Sequence, residues 1–212
     1  MLGLGTIAFS MQDVILEPYG GEILGLSVSA TSLLTALISG GSLLAFVLSA
    51  RWLVKGINAY RIASIGLLVG LIAFTSVIFS EPLNSATLFR IGAFLIGFGG
   101  GLFAVSTLTI AMSIEQENMT GMVIGAWGAV TATCSGIGMS IGGVIRDGVS
   151  TLATSGAIGP VLNGAGTGYS VVYHIEIYLL FATLVALGPL VASRHQRSVS
   201  GIKKFGLADF PG

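Results

Sequence analysis

The chain has 212 residues, with nine basic and nine acidic side chains and no net charge at neutral pH. Only 8% of its residues are charged, against roughly 25% in soluble domains, and its mean hydropathy is +0.94. So few charges cannot cover a water-facing surface of this size, which excludes a soluble globular domain. The balanced charge excludes a nucleic-acid-binding protein, and a single cysteine, Cys134, excludes a disulfide framework. A helical protein with several membrane spans remains.

Five apolar runs are long enough to cross a bilayer, which takes about 20 residues. They cover residues 30–50, 62–80, 91–114, 118–145 and 171–193. A sixth run, residues 1–16, is apolar but short and carries Asp13. We therefore predict an all-α membrane protein with six transmembrane helices, the first of them truncated. The predicted units are a six-helix transmembrane domain over residues 1–193 and a basic cytoplasmic tail over residues 194–212.

The distribution of Lys and Arg predicts the orientation, because cytoplasmic segments of membrane proteins carry an excess of these residues. With six spans, seven basic residues fall on the side that holds the 51–61 connection and the tail. The other side has two, Arg90 and Arg146. Its connections are residues 17–29, 81–90 and 146–170. The C-terminus is therefore expected in the cytoplasm, and the 146–170 connection, rich in Gly, Ser, Thr and Ala, is expected to be a mobile exterior loop.

Glycines four residues apart recur in the predicted spans. The pairs are Gly66/Gly70, Gly97/Gly101, Gly121/Gly125 and Gly138/Gly142. Such pairs let helix backbones approach closely, and in lipid this close packing holds helices together where no hydrophobic effect does so. We expect these pairs to lie at helix–helix contacts.

The first polar cluster lies in the segment Gln12–Glu22. Asp13 and Glu17 stand four residues apart and therefore share a helix face. Pro18 and the Gly20-Gly21 pair are predicted to end this helix. Two interpretations remain open: a paired-carboxylate site at the non-cytoplasmic mouth that binds a cation, a proton or a polar ligand, or a helix end whose carboxylates are merely solvated.

The second polar cluster is the segment Tyr173–Tyr178 near the start of the last span. His174 and Glu176 are two residues apart, so on a helix they point about 200° apart and cannot form one site on one face. A neutral imidazole is a good ligand for a metal centre, including the magnesium of a chlorin. Alternatively, His174 and the tyrosines form an interfacial belt. Arg90 or Arg146, on the same predicted side, could neutralise Glu176.

Catalytic motifs are absent from the sequence. It holds no arrangement of nucleophile, base and acid, and no phosphate-binding loop or dinucleotide fingerprint. His195 falls in the basic tail, and Cys134 lies in a glycine-rich span where packing is its expected role. The residues therefore do not indicate an enzyme.

Three segments resemble a known family. Residues 11–25 (MQDVILEPYGGEILG) and 204–211 (KFGLADFP) resemble the PucC/LhaA family, the bacteriochlorophyll-delivery branch of the major facilitator superfamily in phototrophic bacteria. Residues 51–61 (RWLVKGINAYR) are similar to the cytoplasmic connection after the second helix of each facilitator half, without the acidic residue typical there. The resemblance implies a twelve-helix fold of which this chain matches the last six helices, the C-terminal half. Glycine-rich faces at 97–101 and 136–143 would then be left open where the other half should pack.

The same resemblance implies a function. It points to a light-harvesting complex assembly factor that binds bacteriochlorophyll as cargo and delivers it to antenna polypeptides in the photosynthetic (intracytoplasmic) inner membrane. The implied partners are the lipid bilayer, light-harvesting antenna subunits, bacteriochlorophyll and the missing N-terminal half. A secondary transporter that moves a small solute by alternating access is the alternative, and an enzyme of pigment synthesis is a third interpretation.

Membership would also favour the functional interpretation of the first polar cluster, because that cluster falls inside the family-like segment. The ligand- or partner-binding residues are then expected to be Gln12, Asp13, Glu17 and Tyr19. Glu176, a carboxylate deeper in the last span, is a further candidate for this site. His174 is the only histidine within a predicted span, so it is the candidate pigment ligand.

Overall fold

The structure, a computed structural model, describes residues 1–113, 120–157, 159, 162–164 and 166–202, with the backbone alone for residues 192–202. All regular secondary structure in these ranges is helical, which confirms the predicted all-α class there. In chain order the elements are α1 (Leu2–Ser10), a 3₁₀ turn (Met11–Val14), α2 (Leu16–Glu22), α3 (Val28–Val54), α4 (Ala59–Ser80), α5 (Ala86–Met112), α6 (Thr120–Thr154) and α7 (Thr167–Ile202).

Five of the described helices are long and apolar enough to cross a membrane, and they correspond to the five long predicted runs. α3 to α6 qualify as whole helices, and α7 does so over Thr167–Val191. The sixth predicted span is not one continuous helix, because the first part of the chain is divided into α1, the 3₁₀ turn and α2. With nine residues, α1 is only about 13 Å long, less than half of the roughly 30 Å hydrocarbon core.

The predicted helix end at Pro18 is wrong. Pro18 lies in the first turn of α2, and Gly20-Gly21 lie inside the same helix. A proline ring clashes with the carbonyl of the residue four positions earlier, here Val14, and proline has no N–H to donate to it. The chain therefore passes through the 3₁₀ turn before restarting as α2, whose first turn accepts a proline without losing a hydrogen bond. Pro18 interrupts the helix one turn before its own position instead of ending it.

Two helices extend beyond the charges that bounded the predicted runs. α6 continues through Arg146 to Thr154, so the first part of the predicted 146–170 loop is helical. The backbone of α7 remains helical into the first part of the predicted tail. Long basic side chains can bury their stems against apolar surface while their charged ends reach the interface, so a charge does not have to end a membrane helix. Residues 203–212, with the rest of the tail and its family-like segment, lie outside the described residues.

Three of the four glycine pairs lie at helix contacts, as predicted. At Gly66/Gly70, Gly97/Gly101 and Gly138/Gly142 an added Cβ would come within 3.0 Å of an atom of another element. On α6, Gly138 meets the carbonyl of Ile7 and Gly142 that of Met11, so this stripe holds α1 and the 3₁₀ turn. The pair Gly121/Gly125 is the exception, because nothing lies within 4 Å of either position.

The glycine-rich faces differ from the expectation that both are open. The 97–101 face is packed inside the bundle, where Gly97 lies against the backbone of Ile38 in α3 and Gly99 against that of Gly66 in α4. On α6, Gly136 and Gly143 do have nothing within 4 Å, whereas the glycines between them hold the first element. Glycine spacing marks a close contact without showing which helix fills it.

Candidate functional site

The 3₁₀ turn places two polar residues where α1 ends inside the bundle. Gln12 is 1% exposed, and its Nε2 donates to the carbonyl of Phe9 at 3.3 Å and to Oδ1 of Asp13. Its Oε1 is buried and has no hydrogen-bond partner among the described residues. Asp13 itself is exposed. The turn therefore presents one buried amide and, beside it, one accessible carboxylate.

The two carboxylates of the predicted pair have separate partners. Asp13 accepts from Gln12 within the 3₁₀ turn, whereas Oε1 of Glu17 accepts from Oγ1 of Thr35 in α3 at 2.6 Å. Both carboxylates are exposed. Residues four apart share a face only on an unbroken helix, and the 3₁₀ turn between α1 and α2 interrupts the helix here. Glu17 joins α2 to α3, and Asp13 belongs to the turn.

Glu176 is the residue that the structure adds to the first cluster. It lies on α7 at 0% exposure, with the backbone of Gln12 and the side chain of Asp13 as its electrostatic neighbours. Neither of its carboxylate oxygens has a hydrogen-bond partner in the part of the chain that the structure describes. The sequence places Glu176 and Gln12 in separate clusters near opposite ends of the chain, and the fold brings them together at the helix break.

The predicted cationic partners of Glu176 are not found beside it. Arg146 is bonded to Glu22 and Asp147 instead. Arg90 forms no ion pair with any described residue. The buried carboxylate of Glu176 therefore lacks an arginine partner among the described residues, although two arginines were predicted on the same side of the membrane.

Tyr19 belongs to an aromatic cluster that includes Tyr173, an electrostatic neighbour of Glu176 on α7. Its ring lies 5.3 Å from that of Tyr169, 5.5 Å from that of Tyr173 and 5.5 Å from that of Phe89, measured between centroids. Tyr19, Tyr169 and Tyr173 are all at most 1% exposed. The hydroxyl of Tyr173 is buried without a hydrogen-bond partner among the described groups. These ring contacts pack α2, through Tyr19, against α5 and α7.

An ion-pair cluster that the sequence did not predict joins α2, α6 and α7. Nη2 of Arg146 lies 2.7 Å from Oε2 of Glu22, and Nη1 lies 2.8 Å from Oδ1 of Asp147. The hydroxyl of Tyr169 donates to the same Glu22 oxygen at 2.7 Å, and the guanidinium lies 4.5 Å above the Tyr169 ring. The C-terminal end of α2 therefore lies beside Arg146 and Asp147 of α6 and beside the first turn of α7.

Glu22 lies outside the membrane-spanning helices, and its environment favours the ionised form. The hydrogen bond from Tyr169 and the charge of Arg146 together lower the pKa of the Glu22 carboxyl below its ordinary value of 4.5. The side chain of Glu22 is 56% exposed, so water screens much of this interaction. The sequence indicates only that Glu22 and Arg146 belong to connections on the same predicted side of the membrane. That is not enough to predict that these two residues form an ion pair.

His174 points away from the cluster, as its spacing from Glu176 predicts. It is exposed on the same face of α7 as Tyr178, whose exposure is 70%. Its Nδ1 lies 2.7 Å from the carbonyl oxygen of Ser170, which requires the proton on that nitrogen. Nε2 makes no hydrogen bond with a described residue. The geometry suits both a metal ligand and an interfacial side chain.

Cavities lie between α1, α5 and α6. The larger has a volume of about 370 Å³ and is lined by apolar side chains that include Leu2, Ile110 and Trp127. A smaller one of about 170 Å³ shares Leu2 and Trp127 and reaches the hydroxyl pair Ser10 and Ser135, whose oxygens are 2.9 Å apart. Cavities of 300–1,000 Å³ are typical of ligand sites, and this lining suits an apolar chain.

Comparison with curated proteins finds relatives that cover nearly the whole chain. A protein of Rhodobacter capsulatus named for its position in the puhA-bchM intergenic region is 48% identical over 211 residues, which are 98% of this chain and 44% of that protein. Protein PucC of Cereibacter sphaeroides is 38% identical over 193 residues, 91% of this chain and 41% of its own. A third relative, named the bacteriochlorophyll synthase 44.5 kDa chain of Rhodobacter capsulatus, is 28% identical over 155 residues, 69% of this chain and 35% of its own.

The chain thus spans less than half the length of these relatives. No solved structure matches it. The family model described as PUCC protein matches residues 1–195. This range includes the broken first element and all five candidate spans, the last of which ends at Val191. The chain is a multi-pass helical membrane protein that belongs to the PucC family.

Proposed function

We propose that this chain is part of a light-harvesting complex assembly factor that binds bacteriochlorophyll and hands it to antenna polypeptides in the photosynthetic inner membrane. In this proposal the chain is the C-terminal half of a twelve-helix facilitator fold, its C-terminus is cytoplasmic, and it carries out no chemical reaction. Family membership supports the photosynthetic setting, and one relative has bacteriochlorophyll in its name. The antenna subunits and an N-terminal half are the proposed protein partners.

The observation that carries pigment binding is the geometry of His174. Imidazole nitrogen is a common protein ligand for metal centres, and a metal-bound histidine usually donates its other ring N–H to a carbonyl or carboxylate. His174 already has that arrangement, with Nδ1 against the Ser170 carbonyl and Nε2 free on the exposed face of α7. A flat chlorin can approach an exposed helix face from the lipid, and this supports the proposal that Nε2 binds its magnesium.

Pigment binding is testable with the chain purified from a host that makes bacteriochlorophyll. We expect bound pigment in the absorption spectrum of the wild-type protein, and its loss or a shift of its long-wavelength band in His174→Leu. Tyr178→Leu is the matched control, because Tyr178 is exposed one turn away on the same face and has no metal-binding nitrogen. An unchanged spectrum and pigment stoichiometry in His174→Leu would favour the interfacial-belt interpretation and remove His174 from the site.

A secondary transporter remains the second candidate because of the broken first element. Many transporters bind substrate and coupling ions where a membrane helix is interrupted, since the interruption frees backbone groups and helix ends. The 3₁₀ turn at Met11–Val14 is such an interruption. Genome neighbourhood and a deletion strain separate the two functions: loss of antenna complexes with normal solute uptake supports assembly, and the converse supports transport.

A further inference from the structure

Glu176 is a buried acid without a counter-ion. It is completely buried, and both of its oxygens lack a hydrogen-bond partner among the described residues. The two arginines on its predicted side do not neutralise it, since Arg146 pairs with Glu22 and Asp147 and Arg90 forms no ion pair in the described ranges. An ionised carboxylate in the interior of a membrane protein is costly unless it is paired, and such residues commonly bind protons or ions.

The groups that face Glu176 are mostly acceptors or uncharged donors. From the 3₁₀ turn come the Asp13 carboxylate and the Gln12 backbone, and Tyr173 lies on its own helix. From α2, Tyr19 packs edge-on against the Tyr173 ring. Gln12 Oε1 also lacks a donor, which leaves three buried oxygens without one. The missing component of this cluster is therefore positive charge or a proton.

A proton fits this cluster better than a metal ion. Among the described residues there is no group of three or more His, Cys, Asp and Glu that could hold a metal ion. A proton needs no additional space, removes the charge on Glu176 and converts one of the three acceptors into a donor. Asp13 is the exposed neighbour of this buried acid, so it offers a route by which the proton can enter and leave.

We propose that Glu176 and Asp13 form a proton-binding site at the break of the first element, in which Glu176 holds the proton inside the bundle and Asp13 exchanges it with the exterior. In the transfer, the O–H bond of the Asp13 acid breaks as an O–H bond forms on Glu176, and the negative charge moves from Glu176 to Asp13. The net charge of the pair does not change, and no other reactant is needed. The site is independent of the proposed pigment function.

Infrared spectroscopy of the purified full chain at neutral pH tests the site. A protonated carboxylic acid has a carbonyl stretch that is separate from that of a carboxylate and that shifts in deuterium oxide. We expect this band in the wild type and its loss in Glu176→Gln. In Asp13→Asn we expect the band to remain but its shift in deuterium oxide to be slower. Glu81→Gln is the control, because Glu81 is an exposed acid whose replacement should leave the band intact.

The outcomes are decisive even when a variant folds poorly. Absence of the band in the wild type overturns the proposal without any variant, and so does a band that persists in Glu176→Gln. Deuterium exchange in Asp13→Asn at the wild-type rate refutes the part assigned to Asp13. Helical content from circular dichroism shows whether a lost band reflects unfolding, and in that case Glu176→Asp, which keeps a carboxyl at the site, must retain a protonated acid band for the proposal to stand.

Discussion

The contact between α6 and the 3₁₀ turn can be tested with two neighbouring glycines. A Cβ added at Gly142 would lie 2.5 Å from the carbonyl oxygen of Met11, whereas nothing lies within 4 Å of a Cβ added at Gly143. Gly142→Ala and Gly143→Ala therefore add the same methyl group, at adjacent positions of one helix, to a packed and an open face. Only the first should disturb the turn that carries Gln12.

The expected magnitude follows from the distance. Ordinary carbon–oxygen contacts lie at about 3.3–3.6 Å, so α6 and the 3₁₀ turn must separate by roughly 1 Å in Gly142→Ala. Overpacking of this kind costs about 1–3 kcal/mol, and the better helix propensity of alanine returns about 0.5–1 kcal/mol. We expect Gly142→Ala to be destabilised by about 1–2 kcal/mol and Gly143→Ala to be neutral or stabilised by up to about 1 kcal/mol.

Thermal unfolding of the purified chain in detergent measures the difference. For a chain of this length 1 kcal/mol corresponds to about 2–4 °C in Tm, so Gly142→Ala should melt several degrees below Gly143→Ala. The infrared band assigned to Glu176 should also shift in Gly142→Ala alone, because the turn beside that acid moves. Equal Tm values for the two variants would show that α6 does not pack on the 3₁₀ turn as the structure has it.

Three further outcomes are expected. Glu22→Gln should lower Tm at neutral pH but not at a pH below the lowered pKa of Glu22, because the hydrogen bond from Tyr169 and the ion pair with Arg146 stabilise the fold fully above pH 4.5 and are lost as the pH falls through that lowered pKa. An equal loss at both pH values would contradict the ion-pair role. The double variant Asp13→Asn/Glu17→Gln in a complete protein should reduce antenna levels at unchanged membrane abundance, and normal antenna levels on immunoblots and absorption spectra would remove both residues from the site. Expressed alone, the chain should insert but self-associate and leave antenna assembly unsupported, with rescue by a co-expressed N-terminal half of a relative; size-exclusion profiles and antenna spectra measure this, and a monodisperse monomer that restores assembly unaided would refute it.

The helical membrane architecture was predictable from the sequence for a physical reason. Lipid offers no hydrogen bonds, so each span must satisfy its own backbone and be apolar over its length, and both requirements are visible in composition. In residues 1–16, by contrast, apolar composition alone does not reveal the 3₁₀ turn. The position of Pro18 predicts a helix end at the proline itself, whereas its ring and missing N–H disturb the carbonyl four residues earlier, so the helix is interrupted before Pro18.

The site was only partly predictable, because its main contacts join distant segments. Side-chain spacing correctly separated His174 from Glu176, since that geometry is local to one helix. Side-chain spacing could not show that Glu176 lies beside the turn that carries Gln12, or that Arg146 forms an ion pair with Glu22. Both contacts depend on how α6 and α7 pack around the first element. Glycine spacing predicts a close helix contact but does not identify the helix that makes it.

The broken first element and the buried acid are best understood together. An interruption inside a membrane bundle frees backbone groups that lipid cannot satisfy, so neighbouring protein must supply their partners. Gln12 turns its own amide back to the Phe9 carbonyl, and α7 places the Glu176 carboxyl opposite the Gln12 backbone. A leucine at this position would remove the polar end of the side chain as well as the titratable group, and its effect could not be assigned to proton binding alone. Glutamine keeps a carbonyl oxygen there and removes only the exchangeable acid, so a folded Glu176→Gln variant separates the two roles.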